Sequence, residues 1–170
     1  MVPDVMLIGD LTPILLEDVR RDLAWLRDDG YEERDSLVVG SAFDLRFTSP
    51  HGELVFSADL GHGEIVIVLS PPRCPRDQKV SLNGFLGVRG HPLTDGYLST
   101  QSVEAARKGV AAHTRALALL RDTELAGDWT LFEEAKAYAR ARREAAYDRA
   151  IEAAKDPDVR AVLEARRRQQ

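Results

Sequence analysis

Two short segments of alternating apolar and polar residues, joined by turn sequences, constrain the fold of this chain more than any other feature. Residues 43–49 and 53–59 alternate on either side of a turn at 49–52, and a second turn at 60–63 leads into the apolar run 64–69. A period of two predicts strands, and turns that contain Gly or Pro predict antiparallel hairpins. The segment is therefore predicted to be a β-meander.

The two turns independently predict the same strand register. If Thr48 pairs with Glu53, the apolar side chains of the first two strands lie opposite one another, and pairing Ala58 with Ile65 continues the row onto the third strand. We therefore expect one apolar sheet face that forms the main core, made of Phe43, Leu45, Phe47, Leu54, Phe56, Ala58, Ile65, Ile67 and Leu69.

The reverse face of the sheet is predicted to be mixed. It is polar on the first strand but apolar on the third, where Val66 and Val68 lie beside Val55. An apolar patch on a sheet needs a helix over it or serves as an interface. Because the chain has several helices, we expect its own helices to cover the patch.

A helix over residues 13–29 is predicted to precede the meander. Thr12 is expected as its N-cap, Pro13 as its first helical residue and Gly30 as a left-handed stop. The apolar residues of this segment recur with the helical period, and they are Leu15, Leu16, Val19, Leu23 and Leu26.

Further helices are predicted after the meander. Residues 102–121 have a helical apolar period, and the capping-box pattern from Thr130 to Glu133 opens a helix that extends to about Lys155. A final helix begins at Asp156-Pro157.

Residues 70–98 are interrupted by prolines and glycines. A short element at 80–88 is expected between these interruptions, with a fourth strand as one candidate. Connections this long inside a compact domain are often functional.

These elements predict an α+β fold, in which a three- to four-stranded antiparallel meander packs with an N-terminal helix and C-terminal helices. At 170 residues and 44% hydrophobic content, a single domain over 1–170 is expected. Residues 131–170 are poor in large apolar side chains. They are expected either to pack along a thin stripe or to project as a helical extension that meets a partner, including a second copy.

Composition also predicts where the protein acts. No run of roughly 18 uncharged apolar residues is present and the N-terminus lacks signal-peptide features, so a cytoplasmic protein with no membrane partner is expected. The only cysteine is Cys74, which excludes an internal disulfide and agrees with a reducing compartment. No Cys/His cluster has zinc-site spacing, and no metal or cofactor is expected.

The net charge of −5 is unevenly distributed, and its densest acidic part is the run Asp28, Asp29, Glu32, Glu33 and Asp35. Such a run argues against nucleic-acid binding and permits a basic protein partner. The alternative interpretation is a solvated helix end and loop.

A catalytic interpretation depends on Cys74 and His91. Arg73 and Arg76 flank the cysteine, and cations lower the pKa of a nearby thiol, but a nucleophilic thiol also needs a base such as His91 or His113. The alternative is a passive cysteine. The other two histidines are predicted to occupy turns at opposite ends of one strand, roughly 20 Å apart, which is too far to share a metal ion.

The order of elements resembles that of small bacterial proteins of unknown function and of immunity proteins that neutralise polymorphic toxins. The resemblance covers residues 12–70 at most, and its marks are Leu23-Ala24-Trp25-Leu26 before Gly30-Tyr31 and the alternating strands that follow. It implies a single domain that occludes a partner without catalysis. A small enzyme with its site under residues 70–98 and an oligomerising interaction module are the two alternatives.

Overall fold

The meander forms an antiparallel sheet of five strands in the order of the sequence. The computed structural model describes residues 8–91, 93 and 102–168, so Pro92 and residues 94–98 of the predicted connection lie outside the described residues. The strands are β1 (Glu32–Val39), β2 (Ala42–Ser49), β3 (Gly52–Asp59), β4 (Glu64–Ser70) and β5 (Val80–Ser81).

Helices precede and follow the strands along the chain, which confirms the predicted α+β class. Two short 3-10 helices, Arg76–Gln78 and Glu124–Ala126, lie in the connections. The α-helices are α1 (Ile8–Asp22), α2 (Trp25–Asp28), α3 (Leu82–Val88), α4 (Val103–Ala118), α5 (Phe132–Ala153) and α6 (Pro157–Arg168).

The predicted register of both hairpins is confirmed. Thr48 pairs with Glu53 and Ala58 with Ile65. All nine residues of the predicted apolar face are buried, none with more than 5% of its surface exposed. The side chains of α1 and α4 join this face in one hydrophobic core, so the pattern of alternation placed the core correctly.

The N-terminal helix differs from its prediction at its start and near its end, because the segment predicted as one helix over 13–29 forms α1 and α2, separated by a turn at residues 23–24. α1 begins at Ile8, and Pro13 lies inside it, where proline has no N–H to donate to the carbonyl four residues earlier. Thr12 is 3% exposed, and its hydroxyl donates to the carbonyl of Gly40 at 3.5 Å rather than capping the helix. Gly30 does adopt the predicted left-handed conformation, with φ of +83°.

The capping box predicted at the start of α5 is wrong. Leu131 holds the N-cap position and no side chain caps it. The backbone N–H of Thr130 instead donates to the carboxylate of Asp128 at 3.1 Å. The side chain of Thr130 hydrogen-bonds to the same carboxylate and lowers the pKa of Asp128, so it is engaged in this turn rather than as a helix cap.

The element predicted at 80–88 is a strand only at Val80–Ser81, and α3 follows directly. Gly84 lies where α3 packs closely on α5. A Cβ at Gly84 would lie 2.9 Å from the carbonyl oxygen of Ala135. A residue without a side chain therefore permits the two helices to approach. No helix in the described part of the chain is long and apolar enough to span a membrane.

Candidate functional site

The acidic run lies on α2 and β1. Asp28 ends α2 and Asp29 follows it, while Glu32, Glu33 and Asp35 belong to β1. The interpretation of this run as a helix end and loop is wrong for the last three residues, because β1 pairs with β2 over its length. The structure therefore places part of the acidic run on a strand.

Asp29 is used within the fold. Its carboxylate accepts two hydrogen bonds from Arg121, at 2.8 and 2.7 Å. The same guanidinium lies 5.1 Å from the ring centroid of Trp25, and the hydrogen bond to Asp29 raises the pKa of Arg121. Asp29 thus connects the end of α2 with the segment that follows α4.

Glu33 is also engaged internally. Arg20 of α1 donates to both of its carboxylate oxygens, with the shortest contact at 2.7 Å. The Glu33 side chain is 18% exposed, because it points from β1 towards α1. This ion pair joins the first strand to the first helix.

The remaining three acidic residues are exposed. Glu32 pairs with Arg34 at 2.7 Å, but both side chains are more than half exposed, and such pairs contribute little. Asp28 and Asp35 have no ion pair among the described residues. The acidic surface available to a partner is therefore Asp28, Glu32 and Asp35, which we call the acidic corner.

The first strand is also an open edge of the sheet, since it pairs on one side with β2 and no described strand pairs with its other side. The register shifts between Glu33 and Asp35, so that Arg34 forms a bulge. The strand then continues into three exposed apolar residues, Leu37 (59%), Val38 (49%) and Val39 (64%), here called the apolar triplet. An exposed apolar edge strand is a template for pairing with another chain.

Hydrogen-bonding geometry makes this edge usable. The two-residue turn after Val39 closes on the pair Val39–Ala42, and hydrogen-bonded and non-hydrogen-bonded pairs alternate along an antiparallel ladder. Val38 and Ser36 therefore direct their backbone N–H and C=O groups away from β2. No described strand pairs with these groups, so the described part of the chain leaves them open to an added strand.

Cys74 lies in the connection after β4, half-buried and packed against the edge of the hydrophobic core. Burial raises the pKa of its thiol, and this outweighs the opposing attraction of Lys136 and Lys79. The neighbouring Arg73 has a positive φ of 62°, and among the described residues it is the only one besides glycines that does. The side chain of Arg76 lies outside the described residues. The arrangement suits a passive thiol better than a nucleophile.

We expect Cys74 to react with iodoacetamide at pH 7 at least severalfold more slowly than a free thiol, because its thiolate fraction is reduced and its sulfur is shielded. Labelling followed by mass spectrometry measures the rate, and the urea-unfolded protein, in which Cys74 is exposed, is the control. Labelling faster than that of the unfolded protein would contradict this expectation and favour the catalytic interpretation.

The histidines lie in separate places. His91 is exposed, and its backbone N–H donates to Leu86 at 2.8 Å. His113 is buried in α4, where its Nδ1 lies 2.8 Å from the carbonyl of Gly109. His51 and His62 occupy turns at opposite ends of β3, as predicted.

The turn between β3 and β4 contains a local acid–base pair. Nδ1 of His62 lies 2.7 Å from a carboxylate oxygen of Asp59. That hydrogen bond raises the pKa of His62 and lowers the pKa of Asp59. The other Asp59 oxygen accepts from the backbone N–H groups of Gly61 and His62, so the pair orders the turn.

Within the described ranges, no three His, Cys, Asp or Glu side chains are grouped as metal ligands. Comparisons with family models, curated proteins and solved structures gave no match. The candidate site is therefore argued from geometry, and the strongest geometric feature is β1 with its acidic corner and apolar triplet.

The edge strand is the candidate binding element that the sequence prediction missed. Its signal is present, because a run of β-branched and apolar residues directly precedes the turn at Gly40, and such runs before a turn are typical of strands. The neighbouring acidic residues, which are depleted in strands, obscured it.

Proposed function

We propose that this protein is a non-catalytic protein-binding domain that accepts an extended segment of a partner on the open edge of β1. The observation that carries the proposal is the apolar triplet on an edge with free backbone groups. Main-chain hydrogen bonds supply affinity when a strand is added, and the side chains at alternate positions supply specificity.

The order of side chains along β1 defines the chemistry of the partner segment. Glu32 and Asp35 of the acidic corner lie in the first half of the strand and the apolar triplet lies at its end. A segment that pairs antiparallel to β1 therefore presents apolar residues first and basic residues after them. Complementary charge of this kind mainly accelerates association and makes it sensitive to salt.

This mode of binding suits an immunity-type inhibitor, which acts by covering a surface of its partner. The support is that Glu32, Asp35 and the apolar triplet follow one another along the same edge strand, while Asp29 and Glu33, the other acidic residues of the run, are occupied by Arg121 and Arg20. Binding therefore needs no rearrangement of those ion pairs.

The proposal is tested with a fluorescein-labelled peptide of about ten residues that alternates Val and Thr in its first half and Lys and Thr in its second. Fluorescence anisotropy measures its Kd for the full chain. We expect Glu32→Gln/Asp35→Asn to weaken binding roughly three- to tenfold at low salt, because two exposed charge contacts are lost.

The matched control is Glu134→Gln/Glu152→Gln, which removes two exposed charges from α5 and should leave the Kd unchanged. A second variant, Val38→Pro, removes an outward N–H that β2 does not use and should reduce binding further. Equal affinity of the wild type, the acidic-corner variant and Val38→Pro would refute strand addition at β1.

A further inference from the structure

The last two helices lie largely outside the hydrophobic core. No described residue after Ala135 is buried, and α6 turns back along α5, where Arg167 pairs with Asp148 at 2.8 Å. Both helices line a groove with Val66 and Val68 on the reverse face of the sheet. Val66 remains 45% exposed, so the predicted covering of this patch by the chain's own helices is incomplete.

α6 is a short helix with no buried residue. It has 12 residues, and isolated helices of about this length are marginal in water, because helices in proteins gain most of their stability by packing an apolar face. Val159 and Val162 are 50% and 54% exposed, and they lie one turn apart on the same side of the helix. α6 therefore presents its apolar side to solvent.

A charged side chain of each sign borders these valines. Successive residues of a helix are about 100° apart, so the residues on this side lie within about 120° of the circumference. They are Asp158, Val159, Val162, Ala165 and Arg166, here called the α6 stripe. All five are exposed. The acidic residue lies four positions before Val162 and the basic residue lies four positions after it.

The two charges of the α6 stripe have no counterion in their own chain. Neither Asp158 nor Arg166 forms an ion pair within the part of the chain that the structure describes. The neighbouring charged residues Lys155, Arg160 and Glu164 line the crevice between α5 and α6 instead. The stripe thus carries one unpaired negative and one unpaired positive charge on either side of its valines.

Two copies of the α6 stripe are complementary when they pack antiparallel. If two such helices cross at Val162, residues at equal distances on opposite sides of the crossing meet. Asp158 of each copy then lies opposite Arg166 of the other. In-register parallel packing would instead bring the two aspartates together and the two arginines together, and complementary charge selects against that orientation.

We propose that α6 is a self-association surface, on which a second copy of this chain docks its own α6 antiparallel about a twofold axis at Val162. Val162 packs on Val162 of the second copy, and Val159 packs on Ala165. These small side chains permit the helix axes to approach to about 8–10 Å. The contact uses the same surface on both copies, so it closes as a dimer.

The expected dimer is weak and independent of β1. A helix of 12 residues is about 18 Å long, so a single helix pair falls below the roughly 1,200–2,000 Å² that stable interfaces bury. The acidic corner and the apolar triplet are not part of the α6 stripe. The dimer therefore goes beyond the proposed function and does not depend on it.

Sedimentation velocity of the full chain at about 10–500 μM tests the proposal. We expect the wild type to associate within this range. Asp158→Arg and Arg166→Asp should each weaken association at least about tenfold, because each replaces two attractive contacts with two repulsive ones. The control Arg149→Asp reverses an exposed charge of α5 outside the stripe and should remain within about twofold of the wild type.

Mixing the two charge-reversed variants tests the antiparallel orientation. In a dimer of one Asp158→Arg chain and one Arg166→Asp chain, both contacts again join opposite charges. Equimolar mixing should therefore restore association to within about twofold of the wild type. Both variants keep a negative net charge, because each reversal changes the net charge of −5 by two, so overall attraction between the chains does not explain such a recovery. Circular dichroism checks that each variant is folded.

A cysteine at the proposed axis provides a second measurement, which does not change the charges of the stripe. In a Cys74→Ser background, Val162→Cys should form a disulfide between two copies on mild oxidation, because a residue on the twofold axis meets its equivalent. The matched control is Glu164→Cys, in the crevice towards α5. We expect the axis variant to cross-link at least about tenfold faster than this control.

Several results would overturn the proposal. These are a wild type that stays monomeric over the whole range, charge-reversed variants that associate like the wild type, and folded variants that fail to recover on mixing. Equal cross-linking of Val162→Cys and Glu164→Cys would also contradict it. Loss of association in Val38→Pro would overturn it in favour of pairing between the β1 edges of two copies.

Discussion

Replacing Phe56 with Ala is expected to lower the free energy of unfolding by about 3–5 kcal/mol. Phe56 is fully buried on the central strand of the meander, and its ring stacks on Phe43 with centroids 6.2 Å apart. The substitution removes the transfer free energy of the ring and leaves a cavity in the main core. Since small domains have a total stability of about 5–15 kcal/mol, much of the population would unfold.

Urea denaturation followed by circular dichroism measures this loss. The matched control is Ser57→Ala, on the same strand but on the reverse face and only partly buried, which should change stability by no more than about 0.5 kcal/mol. Similar midpoints for the two variants would mean that the predicted apolar face is not the main core.

Replacing Arg89 with Met is expected to cost about 3–5 kcal/mol as well, for an electrostatic reason. Glu124 is 1% exposed, and the Nη2 of Arg89 donates to both of its carboxylate oxygens, at 2.7 and 2.9 Å. The hydroxyl of Thr123 donates a further hydrogen bond at 2.6 Å. Without Arg89, the buried carboxyl group of Glu124 loses its counterion.

A double-mutant cycle distinguishes this effect from lost packing. The double variant Arg89→Met/Glu124→Leu removes both charges and should recover most of the stability, because a buried ion pair contributes little compared with apolar residues of similar size. Thermal and urea unfolding of the two single variants and the double variant provide the coupling free energy. A double variant as unstable as the sum of the single variants would show that the two side chains act independently.

The register of the meander could be predicted from the sequence because local rules decide it. Residues on one strand face recur with period two, and a slip of one residue would bury the polar set that includes Asp44 and Arg46. The two turns constrain the same strand, β3, from both ends. The left-handed Gly30 was predictable for a similar reason, since the conformation of a helix stop depends on a few neighbouring residues.

Element boundaries were less predictable where side chains make distant contacts. Threonine is a residue type that often caps helices, but the hydroxyl of Thr12 contacts Gly40, and α1 begins at Ile8, four residues before Thr12. In the sequence, Gly84 suggested an interrupted segment. In the structure, this glycine lies inside α3 and permits its close contact with Ala135 of α5. Neither contact partner is near in sequence, so no local pattern indicates it.

The candidate site was also predictable only in part from the sequence. The sequence by itself determined that acidic residues are concentrated at 28–35 and that an apolar face forms the core. The tertiary structure decided which of those acidic residues remain available, because Arg121 and Arg20, brought close by the packing of helices, neutralise Asp29 and Glu33. The tertiary structure also decided that β1 is an edge strand. The position of a strand in a sheet depends on which strands pair with it, and burial and hydrogen bonding across the whole fold set that pairing.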